Sequence, residues 1–90
     1  MATLLVGYDL TAPGQKYTEL IDHIKSLGKW WHHLDSTWLI VTSRKASQVR
    51  DELNSYLDTG DELLVLDVSG DTWASQGIAK SGNDWLHANL

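Results

Sequence analysis

The sequence predicts a single α+β domain with a ferredoxin-like fold, whose elements follow the order βαββαβ. Two segments space their apolar residues at intervals of three and four, as amphipathic helices do. Four short runs rich in Val, Ile, Thr and Trp have the length and composition of strands. The 90 residues suffice for one domain. Two strand–helix–strand units in series, each with a right-handed crossover, give a four-stranded antiparallel sheet with both helices on one face.

The first strand and first helix are the clearest elements. Residues Thr3 to Leu10 favour a strand that is apolar on both faces, as an interior strand is. The segment Thr11 to Gly14 interrupts it with turn-forming residues. The helix is predicted over Gln15 to Leu27, and Gly28 stands where a helix-ending glycine is expected.

A hairpin and a second helix–strand pair complete the predicted fold. Trp30 to Leu34 and Thr37 to Thr42 favour strands, and Asp35-Ser36 supplies turn chemistry between them. The second helix is predicted over Ala46 to Leu57. The apolar run from Glu62 to Ser69 has the length and residue types of a central strand.

The chain divides into a ferredoxin-like domain at residues 1–69 and a C-terminal extension at residues 70–90. The extension is less regular, but Ser81 and Asp84 have the spacing of a capping box and predict a short helix. Two helices on one face leave the other face of the sheet open. We expect the extension to lie over that open face or on a partner chain.

Composition narrows the classes of function. Seven Lys and Arg against twelve Asp and Glu give a net charge of −5, which disfavours nucleic acid overall. The densest basic group is Arg44-Lys45 with Arg50, which a solvated helix face explains equally well. There is no cysteine, no stretch of membrane-spanning length and no signal-peptide pattern in Met1 to Leu10. We expect a cytoplasmic protein.

The first strand and the hairpin resemble those of a known family. The sequence Leu5-Val6-Gly7-Tyr8-Asp9-Leu10, a helix ending at Gly28 and the hairpin around Leu34-Asp35-Ser36-Thr37-Trp38 resemble the small CRISPR-associated Cas-two proteins. Within them the chain is most similar to short proteins labelled SinR family. The resemblance covers residues 3–69. It implies a ferredoxin-like homodimer that is either a metal-dependent endonuclease or a non-catalytic core of the spacer-acquisition complex.

This chain departs from the family pattern directly after Tyr8-Asp9. The family usually has several arginines there, whereas residues 11–16 of this chain include one basic residue, Lys16. The SinR label implies a transcription regulator, but neither a helix-turn-helix pattern nor a basic surface is evident in the sequence.

Asp9 is the leading candidate for chemistry, because a charge at the end of an apolar strand is costly to bury without a partner. The resemblance implies that Asp9 meets its counterpart at the two-fold axis of the dimer. Two carboxylates there are suitable ligands for Mg²⁺, which activates water against a phosphodiester. Alternatively, Asp9 accepts backbone hydrogen bonds in the loop that begins at Thr11.

Four further residues are possible contacts. His33 is a candidate acid or base near Asp9, and Tyr8 adjoins Asp9 in the motif. Ser36 and Thr37 offer hydroxyls to a phosphate, although turn residues need no such role. His32 and His33 cannot readily bind one ion within a chain, because neighbouring residues of a strand point to opposite faces.

The tryptophans have two possible uses. Trp31, Trp38, Trp73 and Trp85 are expected to serve packing, including packing across a dimer. Stacking on nucleic-acid bases is the alternative, but it also requires a positively charged groove.

From these observations we expect a homodimeric, non-catalytic interaction module with a protein partner. The alternative is a Mg²⁺-dependent endonuclease in which Asp9 is paired across the dimer axis. No membrane association is expected.

Overall fold

The computed structural model describes residues 1–11 and 17–90, which form four strands and three helices. The elements in chain order are β1 (Ala2–Asp9), α1 (Tyr17–Ser26), β2 (Lys29–Leu34), β3 (Thr37–Thr42), α2 (Ala46–Asn54), β4 (Glu62–Asp67) and α3 (Lys80–Asn89). No helix within these described ranges combines the length and the apolar character needed to cross a bilayer.

The strands form one antiparallel sheet in the order β2-β3-β1-β4. β1 lies in the interior of the sheet between β3 and β4, as its two apolar faces predict. This order and the seven elements confirm the predicted ferredoxin-like α+β fold with a short C-terminal helix.

The main core lies between one face of the sheet, here called the helix face, and helices α1 and α2. Alternate residues of β1 and β3 point into it and meet the apolar stripes of both helices. Its buried members are Leu4, Val6, Tyr8, Leu20, Ile24, Leu27, Trp38, Ile40, Val49 and Leu53.

The C-terminal extension packs on the opposite face of the sheet, here called the second face. Leu86 of α3 forms a smaller buried cluster there with Trp31 and Leu39. Two hydrogen bonds attach α3 to the sheet. The Trp31 Nε1–H donates to the Gly82 carbonyl at 3.1 Å, and the Thr3 hydroxyl donates to the Asn89 carbonyl at 2.7 Å.

Several predicted boundaries differ from the structure. β1 begins at Ala2 and β2 at Lys29, while α2 ends at Asn54 and β4 at Asp67. The predicted start of the first helix at Gln15 lies outside the described residues.

The prediction that β4 is a central strand is wrong. β4 occupies an edge and pairs with β1 alone among the described strands, so its apolar composition reflects something other than a central position.

The capping box at Ser81 and Asp84 is also wrong. α3 begins at Lys80 with Ala79 as its N-cap, so Ser81 already lies inside the helix, where its hydroxyl cannot cap the first turn. Asp84 instead forms an (i, i+4) ion pair with Lys80 at 2.8 Å.

The basic residues near α2 are engaged locally. Glu52 of α2 accepts hydrogen bonds from His23 of α1, at 3.0 Å, and from Arg44. Partial burial acts to raise the pKa of Glu52, but the hydrogen bonds from His23 and Arg44 outweigh it and the pKa is lowered. Arg50 pairs with Asp51. These pairs take up two of the three charges of the candidate basic patch.

Gly28 permits a close approach between the α1–β2 connection and β3. A Cβ added at Gly28 would lie 1.9 Å from the carbonyl oxygen of Val41, which is backbone and cannot rotate away. The position is therefore restricted to glycine for reasons of space.

We predict that Gly28→Ala destabilises the fold by about 2 kcal/mol or more, because the sheet must shift to relieve the overlap. Gly70→Ala is the matched control: its φ of +72° also disfavours a side chain, but no atom lies within 4 Å of the added Cβ. We expect that control to cost about 1 kcal/mol. Urea unfolding measures both values, and equal losses would contradict the proposed overlap.

Candidate functional site

Asp9 lies at the surface at the end of β1, on the second face of the sheet. In the register of β1 and β4 its direct partner is Glu62, which is also exposed. Within residues 1–11 and 17–90, no hydrogen bond or ion pair engages the Asp9 carboxylate. The two acidic residues therefore lie side by side at one end of the second face.

Next to this acidic pair, one row of residues crosses all four strands on the second face. Strand register places Leu34, Thr37, Gly7 and Leu64 opposite one another in that order, and we call them the uncovered row. Since Gly7 has no side chain, the row has a shallow depression between Thr37 and Leu64.

The following row, away from Asp9, consists of Trp31, Leu39, Leu5 and Leu66. The C-terminal extension packs over three of these residues but leaves Leu66, on the edge strand, 44% exposed. We call these four residues the partly covered row.

The uncovered row exposes large apolar side chains. Leu34 is 49% exposed and Leu64 is 58% exposed, at its two ends. With Leu66 they account for three of the five exposed large hydrophobic residues in the described part of the chain, and all three lie on the second face. Grouped exposure of this kind on a small domain is typical of an interaction surface.

Tyr8 points away from Asp9, to the helix face. Its ring is buried in the main core, and its hydroxyl accepts a hydrogen bond from the Trp38 indole N–H at 3.1 Å. Burial raises the pKa of Tyr8 to about 12, and its hydrogen bond with Tyr17 adds to the increase, while the bond from Trp38 opposes it. Tyr8 is therefore a residue of the main core, on the face of the sheet opposite to Asp9.

The two adjacent histidines point to opposite faces. His32 stacks on Trp38 with ring centroids 3.7 Å apart, and its Nε2 lies 2.9 Å from the Asp35 carbonyl. His33 contacts Trp31, with ring centroids 5.1 Å apart, and lies beside Gly82 of α3. Both side chains are engaged in packing of β2.

Ser36 and Thr37 occupy different settings in and after the hairpin turn. Ser36 is exposed, and its carbonyl accepts a hydrogen bond from the Tyr8 backbone N–H at 3.1 Å. Thr37 begins β3 and lies in the uncovered row, opposite Gly7. The structure therefore brings Thr37, but not Tyr8, to the same face as Asp9.

The tryptophans named in the sequence analysis pack within the chain. Trp38 is fully buried in the main core and Trp31 is nearly so in the second cluster, against which Trp73 and Trp85 pack. Trp30 is the most exposed tryptophan, at 43%, and the Lys25 ammonium lies 5.0 Å from its ring centroid.

Few side chains near Asp9 could serve as ligands for a metal cation. Among the described residues, no group of three or more His, Asp or Glu is placed to hold a metal ion. Asp9 and Glu62 of one chain nevertheless suit Mg²⁺, which is commonly held by one or two carboxylates and several waters. When bound, Mg²⁺ would supply an activated water at this end of the second face.

The residues that sequence reasoning missed are Leu34, Leu64 and Leu66. The apolar run in β4 was interpreted as a buried central strand, and Leu34 as the ordinary end of β2. The alternation of side chains along β4 could have identified them. Leu64 and Leu66 lie on one face of β4, and both predicted helices cover the opposite face of the sheet.

Comparison with known proteins supports the fold and does not extend to function. No protein-family model matches the chain. Among solved structures, the chain is similar to the crystal structure of a hypothetical protein, TT1823, from Thermus thermophilus. The two have a TM-score of 0.65 and 21% sequence identity, over 87% of this chain and 94% of the other. At this identity the likeness shows a shared fold.

The burial of Tyr8 predicts an unusual alkaline titration. The pKa of Tyr8, about 12, lies above the ordinary value of 10.0, so the ionisation of Tyr8 should appear as a late step. Because the pKa is raised in the folded state, the associated stability is present below pH 10 and is lost as the pH rises toward 12. Ultraviolet absorbance during an alkaline titration measures the ionisation of the tyrosines. Tyr8→Phe should remove the late step and Tyr56→Phe should retain it; a late step surviving in Tyr8→Phe would contradict the assignment.

Proposed function

We propose that this chain is a Cas-two-like protein that acts in the cytoplasm as a homodimeric, non-catalytic interaction module. The observation that carries the proposal is the uncovered row, where Leu34 and Leu64 are about half exposed on the second face. Removing such side chains from water is favourable by roughly 25 cal/mol per Å² of apolar surface. A second copy of the same surface is the partner with matching shape and composition.

A two-fold axis running along β1 would make the surface self-complementary. It would place Gly7 against Gly7 of the partner subunit, where the absence of side chains lets the two sheets approach. Leu64 would then face Thr37 of the partner subunit, beside its Leu34. The two sheets would approach each other at the uncovered row, because the extension already covers Trp31 and Leu39 of each sheet.

The same axis accounts for the part of the second face that the C-terminal extension leaves open. The extension covers the β2 and β3 side of the partly covered row and leaves the β4 side open, at Leu66. Rotation about β1 would set Leu66 opposite the partner's extension. Each subunit would thereby complete the apolar layer of the other, which is how an isologous interface is built.

The electrostatics favour a protein partner over a nucleic acid. The chain has a net charge of −5, and Arg44 and Arg50 are already paired with carboxylates. Lys80 is paired with Asp84 as well, so carboxylates already engage three of the six Lys and Arg side chains in the described part of the chain. Of the tryptophans that could stack on bases, Trp31 and Trp38 are buried in the chain's own clusters. Trp73 and Trp85 are half-buried against the second cluster.

A second candidate function is metal-dependent phosphodiester cleavage. The pairing of Asp9 with Glu62 favours it, since the proposed axis would bring this pair toward the same pair of the second subunit. Without a cation, two carboxylates about 4 Å apart repel each other by roughly 4 kcal/mol at an effective dielectric constant of 20. A bound Mg²⁺ would relieve this repulsion.

We predict that Leu64→Lys weakens the dimer at least about a hundredfold, because the ammonium group would be buried against the partner. Folding should be little affected, since Leu64 is 58% exposed in the monomer. Sedimentation equilibrium should find the unmodified protein at twice the 10.1 kDa chain mass. Thr18→Lys, which adds the same charge on exposed α1, is the control and should remain dimeric. A monomeric unmodified protein would refute the proposal.

We also predict that the purified protein does not cleave labelled RNA or DNA in the presence of Mg²⁺ or Mn²⁺. Cleavage by the unmodified protein that falls at least about a hundredfold in Asp9→Asn, but not in Asp51→Asn on exposed α2, would establish the second candidate function instead. Activity retained in Asp9→Asn would identify a contaminating nuclease. In a dimer without cation, Asp9→Asn should strengthen association, because it removes the carboxylate repulsion.

A further inference from the structure

A groove opens between the second face of the sheet and the C-terminal extension. Its volume is about 450 Å³, within the range of pockets that bind small organic molecules. Its floor is formed by buried or half-buried apolar side chains of the sheet and of α3, chiefly Leu5, Trp31, Leu39 and Leu86. The polypeptide from Asp71 to Gln76 forms one wall.

The floor of the groove offers apolar contact and few hydrogen bonds. The Trp31 indole N–H is already bonded to the Gly82 carbonyl. The other polar uncharged side chains that line the groove are those of Thr37, Thr72, Ser75 and Gln76. Trp73 adds a second indole to the wall, held by the His87 ring at 5.0 Å between centroids. A bound molecule must therefore present a large apolar or aromatic surface to this floor.

Charge at the groove has a single sign. Among the described residues that line it, Asp71 is the one charged residue, and none is a lysine, arginine or histidine. The Asp71 carboxylate is exposed and makes no hydrogen bond or ion pair with the described part of the chain. The groove therefore combines two indole rings with one free carboxylate, which suits a cation and repels an anion.

We propose that this groove binds an aromatic organic cation, with the apolar body of the ligand on the sheet floor and its positive charge at Asp71. The inference goes beyond the proposed dimer. The groove is formed chiefly by the extension and the partly covered row, although Leu34 and Thr37 of the uncovered row also line it. The proposed dimer surface therefore adjoins the groove.

Two fluorescent probes of opposite charge test this directly: berberine, a planar aromatic cation, and anilinonaphthalene sulfonate, an aromatic anion. Both brighten on entering an apolar site. We expect saturable binding of berberine with an affinity at least about tenfold higher than that of the anion. In nuclear magnetic resonance spectra, the indole N–H signals of Trp31 and Trp73 should shift as the cation binds, while that of Trp30 should not.

Substitutions in the groove test separately how its charge and its shape contribute to probe binding. Asp71→Asn should weaken berberine binding about three- to tenfold and leave the anion unchanged or better bound. Glu19→Gln, the same change on exposed α1, is the matched control and should have no effect. Ala74→Trp, which adds an indole to the wall, should fill the groove and abolish binding of both probes.

Three results would overturn the proposal: equal or tighter binding of the anion, an unchanged berberine affinity in Asp71→Asn, or shifts that include Trp30. Light scattering on samples without either probe reports the state of association independently of ligand binding. A monomer that binds berberine would therefore refute the dimer and leave the groove intact.

Discussion

The structure depends on β1 being apolar on both of its faces. Leu4, Val6 and Tyr8 point into the main core, while Leu5 and Gly7 belong to the second face. Because side chains of a strand alternate, a central strand of this kind creates two surfaces that must be shielded from water. Helices α1 and α2 shield one of them completely. The rest of the molecule is organised by how the other is shielded.

The C-terminal extension shields about half of that second surface, and the way it is attached explains where it stops. Hydrogen bonds from Trp31 and Thr3 hold α3 at Gly82 and Asn89, over the β2 and β3 side of the sheet. The uncovered row and the groove beside the extension both follow from this incomplete cover, and they are the places where a partner and a small ligand are proposed to bind.

Local patterns in the sequence were sufficient for the fold but not for the site. The three- and four-residue spacing of Tyr17, Leu20 and Ile24 identified α1, and the Asp35-Ser36 turn identified the hairpin, because these signals involve residues close in the chain. The position of β4 at the edge depends on pairing with β1 more than 50 residues away, which no local pattern specifies. The exposure of Leu64 and Leu66 follows from that position, and the burial of Tyr8 beneath Trp38 likewise depends on the assembled sheet.

In the proposed dimer, a second copy shields the uncovered row, with β1 of each subunit on the two-fold axis. The most direct measurement is isotope-filtered nuclear Overhauser spectroscopy on a mixture of labelled and unlabelled chains, which detects contacts between subunits alone. The account predicts transfer between the Leu64 methyl groups of one subunit and the Thr37 and Leu34 methyl groups of the other. The absence of any transfer between subunits, or transfer confined to α1 and α2, would contradict it.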